Sequence, residues 1–148
     1  MTFRIIDAGE PQLPGIERLE ELCFSMPWTR EQIKSQFPDG EHIFLAAVDE
    51  DGAVAGYAGA MIAADEGYIS NVAVDPEKRR LGIGSALMDE MTARGRKAGL
   101  AFITLEVRRS NTAARELYRG KGFIDVGERK NYYESPREDA ILMTLFLK

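Results

Sequence analysis

Two stretches carry residue types that chemistry uses. The first is Arg79-Arg80-Leu81-Gly82-Ile83-Gly84-Ser85, which follows the apolar Val72-Ala73-Val74 and opens an amphipathic run. The start of a helix presents free N–H groups and a partial positive charge, so it attracts anions. Glycine lets the backbone approach a ligand with no side chain in the way. Lys78, Arg79 and Arg80 add positive charge beside it, so the stretch suits a pyrophosphate. A nucleotide-binding Walker loop would need Lys and Ser/Thr after its second glycine, and Ser85-Ala86 stand there; a dinucleotide fingerprint would need a third glycine, and Leu87 stands there. Glycine spacing alone leaves a surface turn with a basic rim as an equal reading.

The second stretch runs from Glu106 to Tyr118. In Thr104-Leu105-Glu106-Val107-Arg108, a carboxylate sits inside an otherwise alternating strand pattern. It is either a group that handles protons or a salt-bridged strand end paired with Arg108. On a helix starting after Asn111, the residues Asn111, Arg115 and Tyr118 share a face. A phenol with pKa near 10 can donate a proton; equally, Tyr118 can be a core aromatic whose hydroxyl reaches water.

These residues need elements to position them. Phe3–Asp7 reads as a short strand, Leu13–Phe24 as a helix with apolar residues at helical spacing, and Arg30–Phe37 as a second helix capped by Thr29. Strands follow over Ile43–Val48, Ala53–Ala64 and Tyr68–Val74, joined by turns at Asp51-Gly52 and Glu66-Gly67. A helix runs from the glycine stretch to about Ala98, with Gly99 past its end. A strand over Ala101–Val107, a helix from Asn111 to about Lys121 and strands over Phe123–Val126 and Ile141–Leu147 complete the chain. The order predicts a single α/β (α+β) domain over residues 1–148. Its mixed central sheet has about six to seven strands flanked by about four helices, antiparallel where the hairpins are short.

Composition narrows the function. The chain has 148 residues, enough for a real core. Its net charge of −5 argues against nucleic acid as a partner and suits a cationic substrate or a basic protein. With one cysteine, Cys23, and one histidine, His42, no internal disulfide, zinc cluster or histidine triad is expected. No apolar stretch approaches membrane-spanning length and no signal core opens the chain, so a cytoplasmic protein with no membrane partner is expected.

Strand, Asp75-Pro76, then Arg79-x-x-Gly82-x-Gly84 resembles the acyl-CoA signature of the GNAT N-acetyltransferases, and the element order is similar over essentially the whole chain. The resemblance implies a coenzyme A pyrophosphate held by the Arg80–Ser85 amides, and acetyl-CoA as cofactor with no metal. It also implies a cofactor arm on Val72, Ala73 and Val74, in a gap where that strand splays from Ala101–Val107. LEVRRSNTAARELYRGKGF, Met26-Pro27-Trp28, Arg129-Lys130-Asn131-Tyr132-Tyr133 and Arg137-Glu138-Asp139-Ala140 resemble the RimI branch, alanine N-acetyltransferases of a ribosomal small-subunit protein. Lys130 departs from the arginine common there but keeps the charge. By that match Glu106 accepts a proton, Tyr118 donates one, and Asn111 contacts the cofactor. The resemblance further implies that the Asn131-Tyr132-Tyr133 and Arg137–Ala140 segments, with Trp28, line a groove for the N-terminus of the ribosomal protein. The expected assembly is a monomer or weak dimer. A lysine side chain or a small-molecule amine is the alternative acceptor.

Overall fold

The computed structural model describes residues 2–148, so Met1 of the expected domain lies outside the described residues. The strands are β1 (Arg4–Asp7), β2 (His42–Val48), β3 (Val54–Ala63), β4 (Glu66–Val74), β5 (Phe102–Arg108), β6 (Ile124–Tyr133) and β7 (Glu138–Phe146). The helices are α1 (Leu13–Cys23), α2 (Arg30–Lys34), α3 (Ile83–Lys97) and α4 (Thr112–Gly120). The described strands form one sheet in the order β1-β2-β3-β4-β5-β7-β6, mixed as expected: β4 runs parallel to β5 and the other pairs are antiparallel.

Strand β2 is buried on both faces, which is why its apolar run is continuous rather than alternating. Ile43, Leu45 and Ala47 face the core under α3, with Leu87, Met88 and Met91. Phe44, Ala46 and Val48 face a second core, with Ile16 and Leu19 of α1 and Ile33 of α2. The sheet thus lies between α3 and α4 on one side and α1 and α2 on the other.

Helix α2 is shorter than expected. Thr29 caps it as predicted, its hydroxyl accepting from Gln32 N at 3.2 Å while Gln32 Oε1 accepts from Thr29 N at 2.8 Å. Past Lys34 the chain tightens into i→i+3 bonds, Gln36 N to Ile33 O at 3.0 Å and Phe37 N to Lys34 O at 3.2 Å, with Ser35 Oγ donating to Gln32 O at 2.6 Å, and Pro38 disfavours helical backbone at Phe37. Strands β6 and β7 are longer than expected, reaching Tyr133 and starting at Glu138. Among the described residues no helix is long and apolar enough to cross a membrane.

Candidate active site

The parallel pairing of β4 with β5 ends at Ile69 opposite Leu105. At the same level the register of β3 against β4 jumps from Ala60–Ile69 to Gly59–Asn71, leaving Ser70 as an extra residue. A bulge bends its strand and increases local twist, so Ser70–Val74 swings away from Glu106–Arg108. A cleft of about 830 Å³ opens there. Its walls are the parted strands, the end of α1 with Cys23–Met26, the start of α4, and the β6–β7 hairpin.

At one end of the parted β4 lies the glycine stretch. Asp75 caps the turn Pro76–Lys78, its Oδ1 accepting from Glu77 N at 3.0 Å, and Oδ2 takes Arg18 Nη1 at 2.9 Å. Arg80 (φ 67°) and Gly82 (φ 82°) then adopt left-handed backbone. That geometry turns successive N–H groups toward one side, as in an anion-binding nest. Among the described residues, no backbone or side-chain acceptor meets the amides from Arg79 to Ser85. Leu81 is exposed, Ile83 is buried under the sheet, and Gly84 and Ser85 form the first turn of α3. Unspent amides, a helix start and basic side chains fit a pyrophosphate.

Of the three strand residues expected to flank a cofactor arm, Val72 lines the cleft. Ala73 turns into the α1–α2 core, and the Val74 carbonyl accepts from Cys23 Sγ at 3.6 Å. Asn111 lines the cleft and also caps α4: its Oδ1 accepts from Ala114 N at 3.2 Å, leaving Nδ2 for another partner. Tyr118 lines the cleft from α4 and packs on Phe123 with ring centroids 5.9 Å apart. Burial pushes its phenol up to about 12. Arg115 does not line the cleft. Its guanidinium donates to Arg109 O at 2.9 Å and reaches Asp125.

Glu106 projects from β5 into the cleft, its side chain only 6% exposed. Its Oε2 is buried and meets no donor of normal hydrogen-bond geometry, while Arg129 Nε stands 3.6 Å away. The expected alternative partner, Arg108, is engaged elsewhere. Arg108 donates to Pro136 O at 2.8 Å and Glu134 O at 3.1 Å, pairs with Glu138, and covers the Tyr133 ring at 4.4 Å. Three phenols gather round Glu106. Burial first, then Tyr132 and Glu106, push Tyr68 well above the usual tyrosine range. Tyr132 is raised first by the carboxylate, and Tyr133 by burial and then the carboxylate. All three keep their protons at neutral pH.

The segments expected to build an acceptor groove divide. Tyr132 and Tyr133 line the cleft, in edge-to-face contact at 5.1 Å. Asn131 lies outside it, with φ 54° and its N–H given to Asp139 Oδ1 at 2.8 Å. Glu138 accepts from Ser110 N at 2.5 Å, and Asp139 pairs with Lys130. The carboxylates of the Arg137–Ala140 segment are therefore taken up: Glu138 ties the hairpin to Ser110 and Arg108, and Asp139 braces it internally through Lys130 and Asn131. Trp28 turns inward against the α1–α2 core, and Met26, 65% exposed, takes a place on the wall. Sequence reasoning missed Tyr68, Asn71 and the Cys23–Met26 wall. Only Tyr68 carried a usable signal: it alternates with Ser70 on the strand neighbouring that of Glu106.

The model of the acetyltransferase (GNAT) family matches residues 13–123. The chain belongs to that family. The likeness extends to individual members. A [ribosomal protein bS18]-alanine N-acetyltransferase of Escherichia coli (strain K12) is 36% identical over 135 residues, 90% of each chain. A putative enzyme of the same name from Bacillus subtilis (strain 168) is 32% identical over 128 residues, 86% of this chain and 85% of that one. The crystal structure of the ribosomal-protein-S18-alanine N-acetyltransferase from Escherichia coli superposes with a TM-score of 0.91 at 32% identity, covering 99% of this chain and 95% of that one. The seven-stranded mixed sheet and its helices are the GNAT fold.

Proposed function

We propose that this acetyltransferase moves an acetyl group from acetyl-CoA to the N-terminal α-amine of an alanine that begins a ribosomal small-subunit protein. One observation carries the reading: a 6%-exposed carboxylate, Glu106, and a buried phenol, Tyr118, line one cleft that opens beside a loop of unspent amides. The identity to bS18-alanine N-acetyltransferases over 90% of the chain supports the choice of acceptor, and modification of a ribosomal protein implies a cytoplasmic site of action.

The Arg79–Ser85 amides would hold the pyrophosphate, with Arg79 and Arg80 adding charge, and Val72 and Asn111 would flank the arm that reaches the cleft. When bound, acetyl-CoA supplies the activated carbonyl and the thiol leaving group. Glu106 takes the proton of the incoming ammonium, on a carboxylate that faces the cleft between Arg129 and the Tyr68 and Tyr132 phenols. The faces and hydroxyls of Tyr132 and Tyr133 would bound the acceptor site, where aromatic rings favour a cation. Tyr118 stays protonated at any working pH. With its phenol at about 12 against about 8.5 for a thiol, full proton surrender is costly. Its role is to donate a hydrogen bond that stabilises the departing sulfur.

An α-amine suits this equipment. Its pKa is about 7.7–8.0 against about 10.4 for lysine. About 10–15% of it is therefore neutral at pH 7, against about 0.04% of lysine, a gap on the order of 3.5 kcal/mol. The test is mass spectrometry of a synthetic peptide with a free N-terminal alanine, incubated with the protein and acetyl-CoA. A matched peptide with a blocked N-terminus and free lysines runs beside it. Acetylation confined to the free N-terminus is expected. Acetylation of lysine, or of neither peptide while a polyamine or aminoglycoside is modified, would overturn the choice of acceptor.

A further inference from the structure

Beneath the cleft lies a carboxylate that the proposed chemistry does not use. Glu20, on α1, is 1% exposed. Its Oε1 accepts from Trp28 N at 2.6 Å. Its Oε2 accepts from Asn71 Nδ2 at 2.9 Å and from the Tyr57 hydroxyl, and Asn71 Nδ2 also lies 3.3 Å from that hydroxyl. Three donors thus converge on one buried carboxylate from three places: the loop after α1, the middle of β3, and β4 just past its bulge. Burying a charge costs free energy unless it is fully hydrogen-bonded. Here burial does raise the Glu20 carboxyl above the ordinary range, against the opposing pull of Trp28 N and Asn71. A helix-facing apolar residue would pack at the same place without that cost.

What the donors have in common is the cleft. Asn71 lies on its β4 wall, and Phe24, Ser25 and Met26 form the facing wall on the loop that Trp28 ends. Two weaker ties lie nearby: Cys23 Sγ donates to Val74 O at 3.6 Å, and the more exposed Arg30 pairs with Glu17 at 2.9 Å. We propose that Glu20 is a positioning residue, whose carboxylate holds the Phe24–Met26 wall at a fixed separation from β4 and so sets affinity for the amine-bearing substrate. The proposal rests on reading the cleft as the acceptor site. The unspent amides lie past the end of β4, and none of the groups in this tie bonds to them, so affinity for coenzyme A is set separately.

The test compares the wild type with Glu20→Met, which removes every acceptor at similar length, and Asn71→Ala, which cuts only the tie to β4. Trp28 is the chain's one tryptophan, so its emission and the exchange of its amide report on the loop alone. In Glu20→Met the Trp28 amide is expected to exchange at least tenfold faster, and KM for an alanine-starting peptide to rise about tenfold. The Kd for coenzyme A should change less than twofold. In Asn71→Ala the Trp28 amide stays protected while the peptide KM still rises severalfold. If Glu20→Met does not fold, Asn71→Ala decides alone. An unmoved peptide KM in the folded variants overturns the proposal, as does an equal loss of peptide and coenzyme A affinity, the mark of general loosening. If the wild type acetylates no peptide, the acceptor reading fails instead, and an unchanged Trp28 exchange rate in Glu20→Met would still overturn the anchoring.

Discussion

Replacing Glu106 by glutamine distinguishes a base from a carboxylate that merely occupies space. Oε2 has no hydrogen-bond donor to lose, and its charge partner Arg129 is 56% exposed. The amide therefore forfeits the pair with Arg129 and weakens the contacts with the Tyr68 and Tyr132 hydroxyls, together about 1 kcal/mol. For a chain of this size that moves the melting temperature by at most about 2–4 °C. The chemical loss is larger, because a positioned general base contributes about 10²–10⁴ in rate. Without it, the variant can act only on amine that is already neutral. With an α-amine pKa of about 7.7–8.0, that fraction is about 1–2% at pH 6 and above about 90% at pH 9. The rate of the variant should climb about 50- to 100-fold across that range. The wild type, able to remove the proton after binding, keeps more of its rate at low pH. The assay is the initial rate of transfer to an alanine-starting peptide from pH 6 to 9, with melting curves as a control on folding. A deficit of the same factor at every pH would refute the base role and leave Glu106 a structural group.

Tyr118→Phe keeps the ring that packs on Phe123 and removes only the hydroxyl. A hydrogen bond to a charged group is worth about 1.5–3 kcal/mol, so transfer should slow about 10- to 100-fold at unchanged coenzyme A affinity; weaker cofactor binding would assign Tyr118 to packing instead. At Gly82 an added Cβ meets nothing within 4 Å, so Gly82→Asp costs only the strain of a left-handed backbone, about 1 kcal/mol, and should leave the fold standing. By setting negative charge among the unspent amides it should weaken coenzyme A at least tenfold by calorimetry, and an unchanged Kd would remove the loop from the binding site. Asp75 is held below the usual carboxylate range, first by the Glu77 amide and then by Arg18. A depressed folded value stabilises the protein above the unfolded pKa of about 3.9 and loses that contribution as pH falls through the folded one. Wild type should therefore outlast Asp75→Asn in thermal melts near neutrality, with the margin shrinking below about pH 4. Curves that stay parallel to pH 2 would show that the tie carries no linkage.

Local chemistry was open to reading from the amino-acid order. Thr29 and Asn111 cap helices, and Gly99 and Gly122 take left-handed backbone just past helix ends, because caps and turns are decided within a few residues. The same holds for the loop at Gly82: its positive φ, its charge and its place before a helix all follow from neighbours in sequence. Glu106 stood out because a carboxylate in an alternating apolar strand has no local excuse. The structure engages the expected partner Arg108 with Glu138 and Tyr133 instead, and sets Arg129 3.6 Å from the carboxylate.

What only the tertiary structure decided depends on partners far apart in the chain. The bulge at Ser70 arises from the register of β3 against β4, and no residue in Tyr68–Val74 announces it. Without it the strands would not part and there would be no cleft. The Arg137–Ala140 segment looked like acceptor-binding surface, yet its carboxylates meet Ser110 and Lys130 once β6 and β7 pair. Trp28 was expected to line the acceptor groove, but it packs against the second core, and Met26 stands on the cleft wall. Glu20 reads as one more acid on an amphipathic helix until β3 and β4 bring Tyr57 and Asn71 beneath it. The physical reason is common to all four. Hydrogen bonds and apolar burial take whatever group the sheet register brings within reach, and register is a property of paired strands, not of either strand alone.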